Sequence, residues 1–308
     1  MDKKEYLHTD LAIENENVAG RLATEGVIYE ENEENGVSSL TVKITDAAGE
    51  QALGRSKGTY ITLSFDKLWD IGEKEVAAAV TNALKKALES LFKESEEKES
   101  EKKPKRILVV GLGNRAITAD AMGPSVSDRI AVTGHLAEEP ALAALLPKDL
   151  LFAIAPGVIG KTGIETFSQV KNAVEASRAT HVIAVDSLAA LSVDRLSRTI
   201  QLTDSGIVPG SGVGNHRAAL NRKTLGVPVI ALGVPSIVSS STLVCEALEK
   251  AGISEPDPDL RPILENGKSF FVTLKDCDAA TEALAAVIAD AINQSAEAIH
   301  TRPGAAIH

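Results

Sequence analysis

Ile107-Leu-Val-Val-Gly-Leu-Gly113 decides the fold. Four apolar residues run on without alternation and glycines close the run. This is the pattern of a strand buried on both faces that opens into a loop. Similar runs recur at Leu151-Phe-Ala-Ile-Ala155, His181-Val-Ile-Ala-Val185 and Val227-Pro-Val-Ile-Ala-Leu232. Helical stretches at 121–131, 163–177 and 241–251 lie between them. Strand and helix in alternation predict an α/β core with a mostly parallel sheet and flanking helices. Residues 268–274 are a candidate further strand, and the Ala-rich stretch 277–300 predicts an amphipathic helix.

Upstream of Arg106 the pattern differs. Val37-Ser-Ser-Leu-Thr-Val-Lys-Ile-Thr45 and Thr59-Tyr-Ile-Thr-Leu-Ser-Phe65 alternate apolar and polar residues, which predicts two strands. Val76, Val80, Leu84, Leu88 and Leu91 give residues 72–95 a helical period. Glu94 to Lys105 is almost purely charged and reads as a solvated helix end or linker. Residues 1–35 are polar and acidic and read as an exposed arm. The expected organisation is therefore an arm, a β-rich segment and a charged helix or linker up to 104, then an α/β core with its C-terminal helix over 105–300, then a tail over 301–308.

The 308 residues are 44% hydrophobic and 24% charged, an ordinary globular composition. Aromatics are only 3%, so Ala, Val, Leu and Ile must fill the core. A net charge of -11 argues against direct nucleic-acid binding, which needs clustered Lys and Arg. Cys245 and Cys277 form no CxxC pair and read as reduced thiols. Met1-Asp-Lys-Lys-Glu-Tyr6 lacks the apolar core of a signal peptide, and no apolar run is long enough for a bilayer, so a cytoplasmic protein without membrane contact is expected.

In parallel sheets, sites form beyond the carboxyl ends of strands. That rule nominates three loops: Gly111 to Pro124, Asp186-Ser-Leu-Ala-Ala190 directly after the strand 181–185, and the glycine-rich Pro209-Gly-Ser-Gly-Val-Gly-Asn-His216. Asp186 is delivered to the sheet edge by an apolar strand. Asp120 lies in a glycine-bounded loop near a helix start. Each could instead cap a helix. Brought into one cleft, two carboxylates could share a proton as base and acid, or hold a metal that activates water. Both suit peptide hydrolysis. Gly113, Asn114, Gly212, Gly214, Asn215 and His216 are candidate substrate-binding positions, glycines there letting the backbone approach a ligand.

Rival motifs are weaker. Gly111-Leu-Gly-Asn-Arg-Ala116 fits the dinucleotide fingerprint, but no acid-ended strand follows at the required distance. Thr203-Asp-Ser-Gly206 resembles the aspartic-protease element but occurs once and reads as a turn, with Asp204 structural and Asp204→Asn costing roughly 1 kcal/mol. No Gly-x-Ser-x-Gly and no His-Glu-x-x-His occur.

Several blocks resemble the germination protease family. They are Val109-Val-Gly-Leu-Gly-Asn114 with Ala119-Asp-Ala-Met-Gly-Pro124, Pro156-Gly-Val158 with Thr162-Gly-Ile-Glu-Thr166, Val182 to Ala190, Pro209 to Asn215, and Leu225 to Pro235. The resemblance is dense over roughly 105–240. It implies a homotetrameric endopeptidase, made as a self-processing zymogen, that cuts small acid-soluble spore proteins at germination in the spore core. It carries two catalytic aspartates onto Asp120 and Asp186, with an atypical aspartic mechanism and no cofactor. The Gly111 to Gly123 loop also resembles hydrogenase-maturation endopeptidases, which implies a phosphorylase/hydrolase-like core. It keeps a metal-dependent maturation-type peptidase with a non-spore substrate as the alternative. The family's substrates are cut after an acid and before an apolar residue, with Ala next and Glu two further on. Asp10-Leu-Ala-Ile-Glu14 copies that pattern, so residues 1–10 are the expected propeptide, cut between Asp10 and Leu11. At the arm, His8 stands where the family usually has an arginine.

Overall fold

The computed structural model describes residues 24–70, 73–95, 104–139, 141, 147–190, 192–210, 218–253, 258–260, 262–264 and 270–297. Within them one nine-stranded sheet runs in the order β1-β2-β3-β7-β8-β6-β4-β5, with β9 paired to β8. The expected core strands are β4 (Arg106–Gly111), β5 (Leu150–Ile154), β6 (His181–Ala190) and β8 (Val229–Ser239). They pair in parallel, β4 between β5 and β6, and β6 beside β8. The other strands make the sheet mixed: β1 (Val27–Glu34), β2 (Val37–Ile44), β3 (Gly58–Ser64) and β7 (Thr199–Thr203) continue it as an antiparallel set from β8 outward. The N-terminal β-rich segment thus joins the sheet of the core through the β3–β7 pair. Of the candidate strand at 268–274, the described residues 270–274 contain β9 (Phe271–Val272).

Alternation along β4 shows why it is apolar throughout. Ile107 and Val109 pack into one buried cluster, and Leu108 and Val110 into another on the opposite face. The first face is covered by α2 (Lys74–Ser95) and the long C-terminal helix Cys277–Glu297, which pack side by side. Val80, Leu84, Leu88 and Leu91 of α2 are buried, at the period read from the sequence. The second face receives Val170 and Val174 of the helix Thr166–Ser177. Parallel strands covered on both faces need this continuous apolar pattern.

Two strands differ from expectation. Residues 27–34, read as part of a polar arm, form β1, antiparallel to β2 and mostly exposed. The turn between them is Asn35-Gly36, with φ of 53° and 78°. Both values are positive, as in the two-residue turns that close hairpins. Glu30, Glu31, Glu33 and Glu34 make this outer strand look unlike a strand, and such charge also discourages pairing with another edge. The other is β7, of which the sequence pattern marks only the last residue, Thr203, as the start of a turn.

The connections place the site. From β4 the chain moves to β5 on one side, then crosses back to β6 on the other. At such a reversal the loops leave in opposite directions and open a crevice at the carboxyl ends of the strands.

Candidate active site

The loop after β4 enters that crevice. The Leu112 N–H donates to the Val185 carbonyl at 2.8 Å, tying the loop's first residue to β6 one position before Asp186. Gly113 follows with φ +112°, and a Cβ there would lie 2.2 Å from the Asp120 carbonyl oxygen and 2.9 Å from Asp120 Oδ1. The glycine is required because Asp120 folds back onto it. The Asn114 N–H donates to Asp120 Oδ2 at 2.8 Å and to the Asp120 carbonyl at 2.9 Å. Asp120 ends the 3-10 turn Thr118–Asp120, and the following helix, α3 (Met122–Ser127), starts at Ala121 with no side-chain cap. Asp120 is therefore held towards its own loop and does not cap the helix. Gly123 closes the turn against the sheet: a Cβ there would meet the Leu112 and Val185 carbonyl oxygens at 2.3 and 2.4 Å.

Asp186 corrects one expectation. It does not sit in a loop after a strand ending at 185, because β6 continues to Ala190 beside an equally extended β8. Ser187 is part of that strand, so helix capping by Asp186 is excluded. Periodicity failed to mark the extension because Asp186 and Ser187 interrupt the apolar run. Asp186 stands two positions beyond Ala184, on the face that carries the Val170 and Val174 cluster. It is 7% exposed, and its Oδ1 accepts the Ser187 N–H at 2.9 Å. A register shift follows between Leu188 and Ala189. Such irregularities re-aim side chains and recur beside active sites.

Both aspartates line one cavity of about 910 Å³. Gly113 lines it too; Asn114 is not among the lining residues and acts through its N–H on Asp120. The far wall comes from β3, β7 and the loops beside them, with Arg55, Tyr60, Gln201 and Thr203. Sequence reading missed these residues, since only the long-range β3–β7 pairing brings them to the crevice. Ser187 also lines the cavity, and its Oγ is buried with no hydrogen-bond partner among the described residues. Gly212, Gly214, Asn215 and His216 lie outside the described residues, as do Asp10 and Leu11. Among the described residues no three His, Cys, Asp or Glu side chains form a group that could hold a metal.

Asp204 is absent from the cavity lining, although Thr203, Ser205 and Gly206 belong to it. Its Oδ1 accepts the Thr59 N–H at 2.8 Å, joining the end of β7 to β3. Thr203 Oγ1 accepts the Ser205 N–H at 3.1 Å, and Gly206 has φ +86°, which is turn chemistry. Burial pushes the Asp204 carboxyl above its ordinary 3.8, and nearby Glu94 adds to this, against the Thr59 hydrogen bond. The geometry changes the stability expected of the amide. Below pH 3.8 the carboxyl is neutral folded and unfolded. As pH rises through the raised folded value, ionisation favours the unfolded chain and that stability is lost. Asn keeps an acceptor for Thr59 and carries no charge. Asp204→Asn is therefore expected to keep most of its activity and to match or exceed the wild-type melting temperature at pH 7, losing that advantage near pH 3. Asp204→Ala leaves the Thr59 N–H unmet and is expected to cost about 1–3 kcal/mol. Melting curves at the two pH values check both, and loss of peptidase activity in Asp204→Asn would return Asp204 to the mechanism.

Among the described residues no helix is long and apolar enough to cross a membrane. Among solved structures the chain is similar to a [NiFe] hydrogenase maturation protease from Thermococcus kodakarensis, at 16% identity and a TM-score of 0.34, covering 61% of this chain and 92% of that one. The family model described as germination protease matches residues 6–251. The germination protease of Caldanaerobacter subterraneus subsp. tengcongensis is 39% identical over 79% of this chain and 72% of its own length. Those of Priestia megaterium and Clostridium perfringens are 37% and 35% identical, over 81% and 88% of this chain and 68% and 81% of their own lengths. The chain belongs to the germination protease family and is an endopeptidase.

Proposed function

We propose that this endopeptidase starts the degradation of small acid-soluble spore proteins in the spore core, with Asp120 and Asp186 as its catalytic pair. One observation carries the assignment: two carboxylates from different elements, a turn after β4 and the strand β6, face one cavity at the switch point of the sheet. One carboxylate takes a proton from the attacking water. The other, protonated, donates a hydrogen bond to the scissile carbonyl oxygen as it gains charge. The tetrahedral species then collapses, the C–N bond breaks, and the leaving nitrogen takes a proton from the pair. The burial of Asp186 supports such chemistry, since a cavity poor in water strengthens every charge interaction within it.

The experiment is digestion of a purified small acid-soluble spore protein by protein that begins at Leu11, the expected processed form, followed by intact mass. A few internal cuts are expected, unaffected by chelator. No cleavage would overturn the substrate assignment. Cleavage abolished by chelator and restored by a divalent metal would favour the metal-dependent alternative. Assembly as a homotetramer belongs to the same proposal, and light scattering checks it.

The zymogen reading rests on the sequence Asp10-Leu-Ala-Ile-Glu14. A covalently attached segment has a high effective concentration at its own site and can occupy it even when it binds weakly. Protonating Asp10 or Glu14 lowers the charge cost of approaching two aspartates, and His8, with an ordinary pKa of about 6.5, gains charge over the same range. Processing is expected to be slow at neutral pH and faster on mild acidification, giving a form that begins at Leu11. Terminal sequencing reads this directly. Trimming at the same bond in pure Asp186→Asn protein would show that another agent makes the cut.

A further inference from the structure

The cavity holds three formally charged side chains among its described lining residues: Asp120, Asp186 and Arg55. Arg55 is thus the one cation in a described wall that otherwise offers glycines, hydroxyls, amides and apolar groups. It sits on the short connection between the helix Ala47–Leu53 and β3, and three contacts hold that connection. Gly54 ends the helix with φ 64° and its N–H on the Glu50 carbonyl. The Lys57 N–H donates to Glu50 Oε1 at 2.7 Å. The Tyr60 hydroxyl donates to the Ser56 carbonyl at 2.6 Å. Tyr60 is itself buried and also lines the cavity. Arg55 is carried on a braced loop and lines the same cavity as the two aspartates.

This arrangement has a consequence for what the cavity accepts. A peptide with an acidic side chain is repelled by two nearby carboxylates unless a cation offsets them, and a guanidinium fork matches a carboxylate in charge and in geometry. Resting on the peptidase reading above, we infer that Arg55 is a specificity-determining residue that pairs with an acidic side chain of a substrate bound in this cavity. Tyr60 is a positioning residue, because its hydroxyl fixes the backbone that carries Arg55.

The test uses protein that begins at Leu11, the expected processed form, and an end-capped peptide with the sequence of residues 8–15, alongside two partners in which the position of Asp10 is Asn or that of Glu14 is Gln. Wild-type protein is expected to cleave the parent about 10-fold better in kcat/KM than at least one amide partner, mostly through KM, the size of one good charge-assisted contact. Arg55→Gln should bring that ratio to about 2 or less by slowing the parent peptide alone. Arg55→Lys should fall between, and Tyr60→Phe should lose part of the ratio. A ratio unchanged in Arg55→Gln for both amide partners overturns the inference, as does equal slowing of all three peptides. Fluorescence anisotropy of the same peptides on Asp186→Asn protein that begins at Leu11, with and without Arg55→Gln, reads the preference without turnover. Binding that prefers the acid through Arg55, when wild-type protein cuts none of the peptides, would overturn the peptidase reading and keep Arg55. Cleavage with no Arg55-dependent preference would do the reverse.

Discussion

Asp186→Asn is expected to lower kcat against a spore-protein substrate by about 10³-fold or more while leaving the melting temperature within a few degrees of wild type. Proton transfer by a positioned side chain contributes about 10²–10⁴-fold, and the amide keeps the shape while losing the titrating oxygen. The fold should tolerate the change because Asn Oδ1 can still accept the Ser187 N–H that Asp186 accepts now. Asp120→Asn should behave alike, since its side-chain oxygen can still take the Asn114 N–H. Rapid-quench digestion with mass detection is sensitive enough to measure the residue of activity. Either variant working within a factor of ten of wild type would remove that residue from the proton chemistry.

Gly113→Ala should have the next largest effect, with no charge altered. Its φ of +112° strains any residue with a Cβ, and that Cβ would lie 2.2 Å from the Asp120 carbonyl oxygen. The turn must move, and with it the carboxylate that Asn114 holds. A misplacement of about 1 Å in a catalytic group can cost about 10²-fold, so kcat should fall by that order with KM little changed. Overpacking and backbone strain together should cost about 1–3 kcal/mol. Gly163→Ala is the control. Gly163 also has a positive φ, 68°, but a Cβ there meets nothing within 4 Å. It should lose a little stability and keep its rate. Equal kinetic losses in the two variants would mean that Gly113 acts through general strain and not through Asp120.

The parallel half of the fold was legible because burial on both faces leaves no choice of residue: Ile107 to Val110 and Val182 to Val185 had to be apolar. The same logic ended β6 too early, since Asp186 and Ser187 look like the start of a loop when the strand in fact carries them into the cavity. β1 was hidden by its glutamates, although Asn35-Gly36 is a hairpin signal that could have found it. The meeting of Asp120 and Asp186 at one cavity was legible from the rule that crevices form at the carboxyl ends of strands, and the switch point at β4 is the structural reason for that rule here. Arg55 and Tyr60 were not. They reach the cavity through the pairing of Tyr60 with Thr203, 143 residues apart by number, and no local pattern encodes such a meeting.

The central claim is that Asp120 and Asp186 act as one unit, and the double variant tests it most directly. Residues that share a single proton-transfer function lose that function once, so Asp120→Asn/Asp186→Asn should be no slower than the slower single variant. Digestion rates of the wild type, both single variants and the double variant, measured on one spore-protein substrate, supply the comparison. Losses that multiply, with the double variant slower than wild type by the product of the two separate effects, would contradict a shared site.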